Sequence, residues 1–170
     1  MKRIARFEKV SFGQFSDGWD DTFQAIEKGE NKDQSKETLK EIYDRIKLPR
    51  RATAGSAGYD FFAPVDIILN PGETIKIPTG IRVWMEPEWV LKCYPRSGLG
   101  FKFRLQLNNT VGIIDSDYYN SDNEGHIFIK ITNDSNENKT VELNAGQGFA
   151  QGIFMPFGLV EDDDTTDQRN

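Results

Sequence analysis

After Arg51 the sequence becomes a series of short apolar and polar alternations, cut every few residues by glycine, proline or asparagine. That texture constrains the fold more than any other feature. Ala57 to Phe62 reads as a turn feeding a strand. Asp66 to Leu69 alternates weakly, and Asn70-Pro71-Gly72 follows as a turn, with proline suited to its first central position and glycine to its second. Glu73 to Pro78 places Ile75 and Ile77 on one face. Ile81, Val83 and Met85 continue beyond Gly80, and Trp89 to Tyr94 is a further strand. His126 to Thr132 sets Ile127, Ile129 and Ile131 on one face, and Thr140 to Leu143 and Gly148 to Phe154 complete the set. Many short strands separated by turn signals predict an all-β sandwich or barrel.

The N-terminal part has a different texture. Ile4 to Val10 is strand-like, as at a sheet edge. Residues 11 to 34 are polar and punctuated by Gly13, Gly18 and Gly29. Trp19, Phe23 and Ile26 have helical spacing, which predicts a short helix over 19 to 28. A second helix begins near Ser35, a suitable N-cap, with Glu37 in its first turn. Leu39, Ile42, Tyr43 and Ile46 form its apolar face, read as packing on the main body, and Pro49 stops it. Glu161 to Asn170 is acidic and has no aromatic residue, which predicts a mobile arm.

Charge narrows the function classes. The net charge is −6 and the pI is near 4.9, which argues against a nucleic-acid partner. A small anion in a locally basic pocket is still compatible. Cys93 is the single cysteine, so no internal disulfide forms, which fits a reducing cytoplasm. The first residues lack the apolar run of a signal peptide, and no apolar stretch reaches membrane-spanning length.

Two stretches carry candidate chemistry. In the first, Ile113 and Ile114 run into Asp115, with Gly112 before them and Asp117 and Tyr118 after. An anchored strand end holds a carboxylate at a fixed place, as a general base requires. The plain alternative is a hairpin with solvated acids. In the second, Pro95 to Lys102, glycines at 98 and 100 free backbone amides beside Arg96 and Ser97. Together these suit a phosphate cradle, and the alternative is a glycine-rich turn. His126 is the lone histidine and forms no zinc constellation. It reads as a structural residue, exposed or half-buried, and Cys93 as a small buried hydrophobe. Asp60, Asp115 and Asp117 sit at strand–turn boundaries, where carboxylates suit a largely hydrated Mg²⁺ that also binds phosphates. Combined, these parts suggest water attack on a phosphoryl group.

Five segments then resemble one family in order and spacing. They are Ser56-Ala57-Gly58-Tyr59-Asp60-Phe61, Pro78-Thr79-Gly80, Pro95-Arg96-Ser97-Gly98-Leu99-Gly100, Asn109-Thr110-Val111-Gly112-Ile113-Ile114-Asp115-Ser116-Asp117-Tyr118 and Gly146-Gln147-Gly148-Phe149-Ala150-Gln151. Across residues 52 to 156 the chain resembles the trimeric deoxyuridine triphosphatases (dUTPases). The resemblance implies an antiparallel β-sandwich related to a jelly roll (the β-clip type), the reaction of dUTP with water to dUMP and pyrophosphate, Mg²⁺ as cofactor, and a homotrimer with shared sites. It implies that Asp115 orients the attacking water and that Tyr118 packs under deoxyribose, leaving no room for a 2′-hydroxyl. Asn109 and the backbone around Gly112 would read uracil. Arg96, Ser97, Gly98 and Gln151 would hold phosphates, and Asp60 would hold Mg²⁺ through water.

The chain departs from the family pattern in three places. Residues 11 to 48 form a helical insertion in a single domain over 1 to 160. Residues 119 to 124 intervene between Tyr118 and Gly125, where the family has glycine sooner. The arm over 161 to 170 reaches only Arg169, which matches the arginine opening the family's glycine-rich substrate-binding arm. Two other readings are a dCTP deaminase, which shares the fold, and a nucleotide-sensing interaction protein that keeps the pocket.

Overall fold

Residues 2–24, 38–167 and 169 are described by the structure, a computed structural model. Period-two alternation builds its sheets. In β5 (Thr74–Pro78) and β10 (Phe128–Asn133), Ile75, Ile77, Ile129 and Ile131 all point into the core. Their antiparallel register sets Ile131 opposite Ile75 and Ile129 opposite Ile77. Each such burial stabilises by about 1.5–3 kcal/mol, and a one-residue slip would expose the whole set. Register is therefore fixed by the sequence pattern. β8 (Leu105–Leu107) completes this sheet on the other side of β10.

The larger sheet has five strands in the order β2-β3-β12-β7-β9. These are β2 (Arg50–Arg51), β3 (Tyr59–Phe62), β12 (Gly148–Pro156), β7 (Trp89–Pro95) and β9 (Gly112–Ile114). β1 (Ala5–Lys9) with β6 (Ile81–Met85) and β4 (Ile67–Leu69) with β11 (Val141–Leu143) form two further two-stranded pairs. Every pairing among the described residues is antiparallel. Phe61, Ile77, Leu91, Ile131 and Phe149 form the centre of one core. The all-β expectation holds.

The N-terminal helices differ from the sequence reading. The first helix, α1, spans Phe12–Trp19 and passes into a π-helical turn at Asp20–Gln24, rather than beginning at Trp19. Residues 25 to 28 of the predicted helix lie outside the described residues. Gly13 and Gly18 read as breakers, yet both lie within α1. Gly18 is there because nothing larger fits: a Cβ would lie 2.8 Å from the Phe128 ring and 2.9 Å from His126 Cε1. The second helix, α2, spans Leu39–Arg45, and Thr38 with Glu41 forms a reciprocal capping box. Ser35 and Glu37 lie outside the described residues. Phe15 of α1, Ile42 of α2 and Val10 form a second small core, flanked by Tyr43. Tyr43 donates to the Val10 carbonyl at 2.7 Å, and Lys9 donates to the α2 C-terminal carbonyls of Tyr43 and Asp44.

His126 is fully buried rather than exposed or half-buried. Its ring lies 4.2 Å from that of Phe128, and its Nε2 accepts from the Gly80 amide at 2.9 Å. Among the described residues Nδ1 has no partner of hydrogen-bond geometry. Burial pushes the imidazole pKa down to about 4; Lys76 adds to this, while Glu124 and the Gln14 backbone oppose it.

Candidate active site

The first candidate stretch folds as expected at its strand and differently after it. β8 and β9 are joined by a short turn but belong to different sheets, and Thr110 at the tip of that turn has φ 66°. A β-branched residue rarely adopts that left-handed region, so the tip carries local strain of the kind found at functional sites. Gly112 lets β9 lie close to β7, since a Cβ there would sit 3.0 Å from Cys93 Cβ. Between β9, the turn after β8 and the start of β10 lies a cleft of about 340 Å³, lined by Asn108, Asn109, Gly112, Ile114, Ile127 and Lys130 among others. Cys93 lies at its floor, and burial pushes its thiol up to about 12. It is therefore no thiolate nucleophile at neutral pH.

β9 ends at Ile114, and Asp115 begins a 3-10 turn over Ser116–Asn120. Asp115 is exposed. Arg169 donates to its Oδ2 at 2.8 Å, lies 3.4 Å from Asp117 Oδ1, and stands 5.5 Å from the Tyr118 ring. Asp115, Tyr118 and Arg169 are thus brought together. Tyr118 donates its hydroxyl to the His126 carbonyl at 2.9 Å and is half-buried.

The second candidate stretch is a helix, not a glycine-rich turn. α3 spans Ser97–Phe103, with Arg96 at its N-cap. Gly98 and Gly100 have open space around them, and the helix ends at Arg104 with φ 52°. Ser97 and Gly98 occupy the first turn, whose amides precede any intrahelical acceptor. Arg96 Nε lies 3.4 Å from Asp60 Oδ1. Gln151 pairs with Asp60 across β12 and β3, and its Nε2 donates to the Pro95 carbonyl at 3.3 Å. Two glycines shape this cluster. At Gly148 a Cβ would come within 3.0 Å of the Arg96 guanidinium, and at Gly58 it would collide with Gln151 Oε1. Neither was singled out for this role from sequence, although both lie inside the matching segments; only the tertiary contacts reveal it.

The two clusters do not meet within one chain. β9 pairs antiparallel with β7, Ile114 opposite Leu91 and Gly112 opposite Cys93. Asp115 therefore continues towards Val90, while Arg96 follows the opposite end of β7. Six residues of strand separate these positions, roughly 20 Å at about 3.3 Å per residue.

Comparison with known proteins gives the family and the fold. The dUTPase family model matches residues 44–170. The deoxyuridine 5′-triphosphate nucleotidohydrolase of Lactococcus lactis subsp. lactis (strain IL1403) is 44% identical over 125 residues, covering 73% of this chain and 81% of that protein. The protein of the same name from Escherichia coli O45:K1 is 42% identical over 129 residues, covering 71% and 81%. The crystal structure of the Streptococcus mutans dUTPase aligns with TM-score 0.59 at 43% identity, covering 67% of this chain and 88% of that one. A phage 80alpha dUTPase, at 18% identity, shares the fold over 100% of this chain and 93% of its own, with TM-score 0.64. The chain belongs to the dUTPase family. Its antiparallel strands form the jelly-roll-like β fold of these proteins. No helix among the described residues is long and apolar enough to cross a membrane.

Proposed function

We propose that Asp115 orients and deprotonates the water that attacks the α-phosphorus of dUTP. The overall reaction, dUTP to dUMP, is that of the family to which the chain belongs. The observation that carries the assignment is the strand end itself. β9 lines the cleft with Gly112 and Ile114, then delivers Asp115 and, one 3-10 turn on, Tyr118. Uracil enters the cleft and meets Asn109 and the backbone beside Gly112. Deoxyribose packs on Tyr118. Arg96, Ser97, Gly98 and Gln151 take the phosphates with charge-assisted and backbone hydrogen bonds, and Arg169 joins them by exchanging its contact with Asp115 for phosphate.

The roughly 20 Å between Asp115 and Arg96 exceeds hydrogen-bond reach of a common phosphate. Phosphate-holding and water-orienting groups of one site therefore come from different copies, which supports a homotrimer with shared sites. Mg²⁺ fits the donor set in a particular way. Among the described residues no group of three metal-ligating side chains occurs, and Asp60 stands beside Arg96. This suits a hydrated ion held mainly by phosphate oxygens and by Asp60 through water, rather than a protein cage. An ion held there would offset phosphate charge. A reducing cytoplasm suits the free, buried Cys93.

Pyrophosphate release tests the reading: rapid release from dUTP with Mg²⁺, little from UTP, and strong loss with a chelator are expected. Ammonia release from dCTP would assign a deaminase instead. Tight dUTP binding without turnover would favour the nucleotide-sensing alternative.

A further inference from the structure

Residues 119 to 124, where this chain departs from the family pattern, are tied down at both ends of the segment. Asn123 Nδ2 donates to the Tyr118 hydroxyl at 2.8 Å, and Asn123 Oδ1 accepts from the Gly125 amide at 3.1 Å. The Tyr118 oxygen thus both accepts from Asn123 and donates to the His126 carbonyl. Tyr119 lies under the Arg82 guanidinium, 3.6 Å from ring centre to carbon, while Arg82 also donates to the Tyr119 carbonyl at 2.8 Å. The Tyr119 hydroxyl donates to Glu8 at 2.7 Å, and Glu8 is held in turn by Arg6. At the far end Glu124 accepts from the amide and hydroxyl of Ser11, the α1 N-cap. β1, β6 and the start of α1 therefore all grip one turn.

We propose that Asn123 and Tyr119 are positioning residues that fix the Tyr118 ring and thereby set discrimination between deoxyribose and ribose. The inference rests on the reading that Tyr118 packs under the sugar. Steric exclusion of one hydroxyl works only if the excluding ring does not yield. A ring free to shift by a fraction of its width admits the larger sugar. Here the ring is pinned at its tip by hydrogen bonds to Asn123 and His126, and its backbone neighbour is clamped on Arg82. Gly125 completes the fit: with φ 71°, a Cβ there would lie 2.7 Å from the Tyr118 carbonyl oxygen.

The test compares kcat/KM for dUTP and for UTP, with Mg²⁺, in the full chain. Asn123→Ala and Asn123→Asp both remove the donor to Tyr118, and the aspartate keeps an oxygen for the Gly125 amide. Each should lower the dUTP-over-UTP ratio by roughly three- to tenfold, the scale of one neutral hydrogen bond. Tyr119→Ala should do the same, while Tyr119→Phe, which keeps the ring on Arg82, should restore most of the ratio. In a Tyr118→Phe background the Asn123 changes should have no further effect, since they act through the lost hydroxyl. A ratio within twofold of wild type in folded Asn123 variants, whatever their melting temperature, overturns the proposal. So does full additivity with Tyr118→Phe. Failure of the dUTPase reading looks different, because wild type itself would then not hydrolyse dUTP.

Discussion

Asp115→Asn lowers kcat for dUTP by about 10²–10⁴-fold, the usual contribution of a positioned general base, while a non-hydrolysable dUTP analogue binds within a few fold of wild type. The change is close to isosteric and removes only charge and basicity. Asp115 begins the 3-10 turn without a side-chain capping bond, so the turn does not depend on its carboxylate. Its described polar partner is Arg169, whose guanidinium retains Asp117 and the Tyr118 ring nearby. Asparagine can still accept a hydrogen bond but cannot take the proton from water. Single-turnover pyrophosphate release separates the two effects. A rate within tenfold of wild type would remove Asp115 from the chemistry.

The second large effect is on stability in mild acid, and it comes from His126. Its folded pKa lies near 4, against 6.5 for the free side chain, chiefly because burial disfavours the charged ring. Between those values the unfolded chain binds a proton that the folded chain refuses. The contribution is fully present above pH 6.5 and is lost as pH falls towards 4. The whole shift corresponds to about 3 kcal/mol, of which about 2 kcal/mol is lost by pH 5. Protonation would place a cation against Phe128 and Phe15, and below Gly18 of α1. Lys76 disfavours that cation, and Glu124 only partly offsets it. Denaturant unfolding at pH 7.5 and pH 5, at one fixed protein concentration, should show this loss. His126→Gln, which keeps an acceptor for the Gly80 amide, should show much less of it. Equal losses in both proteins would contradict the assignment.

Where period-two alternation faces a core, the fold was legible: Ile75 with Ile77, and Ile127, Ile129 and Ile131, are buried as their spacing requires. Cys93 is likewise buried, and the Asn70-Pro71-Gly72 turn has glycine at φ 87°. The two helices that the sequence misplaced or missed share one cause, since glycine reads locally as a breaker. Gly18 is instead demanded by two rings from β10 and the turn before it. In α3, Gly98 and Gly100 are tolerated in a seven-residue helix that Arg104 ends. No local pattern contains either reason. At the candidate site, Gly112, Asp115 and Arg96 stand out as candidates in the sequence because charge, glycine and strand end coincide in short stretches, whereas the role of Tyr118 comes from the resemblance alone. The hold of Arg82 on Tyr119, 37 residues away, and that of Glu8, 111 residues away, were not. Such long-range pairings emerge only when β1, β6 and the 3-10 turn meet. Sequence also could not show that Asp115, after β9, and Arg96, after β7, lie beside opposite ends of β7.

That separation makes the central claim, Asp115 from one copy acting on phosphates held by Arg96 of another, directly measurable. Asp115→Asn and Arg96→Ala chains are purified separately, each nearly inactive, then mixed in equal amounts under conditions that exchange subunits. If sites are shared, random assortment restores about a quarter of the wild-type dUTP hydrolysis rate per site, since half of each contributing surface is intact. If the mixture, shown to have exchanged subunits, stays as inactive as its parts, Asp115 and Arg96 serve the same chain and the account is contradicted.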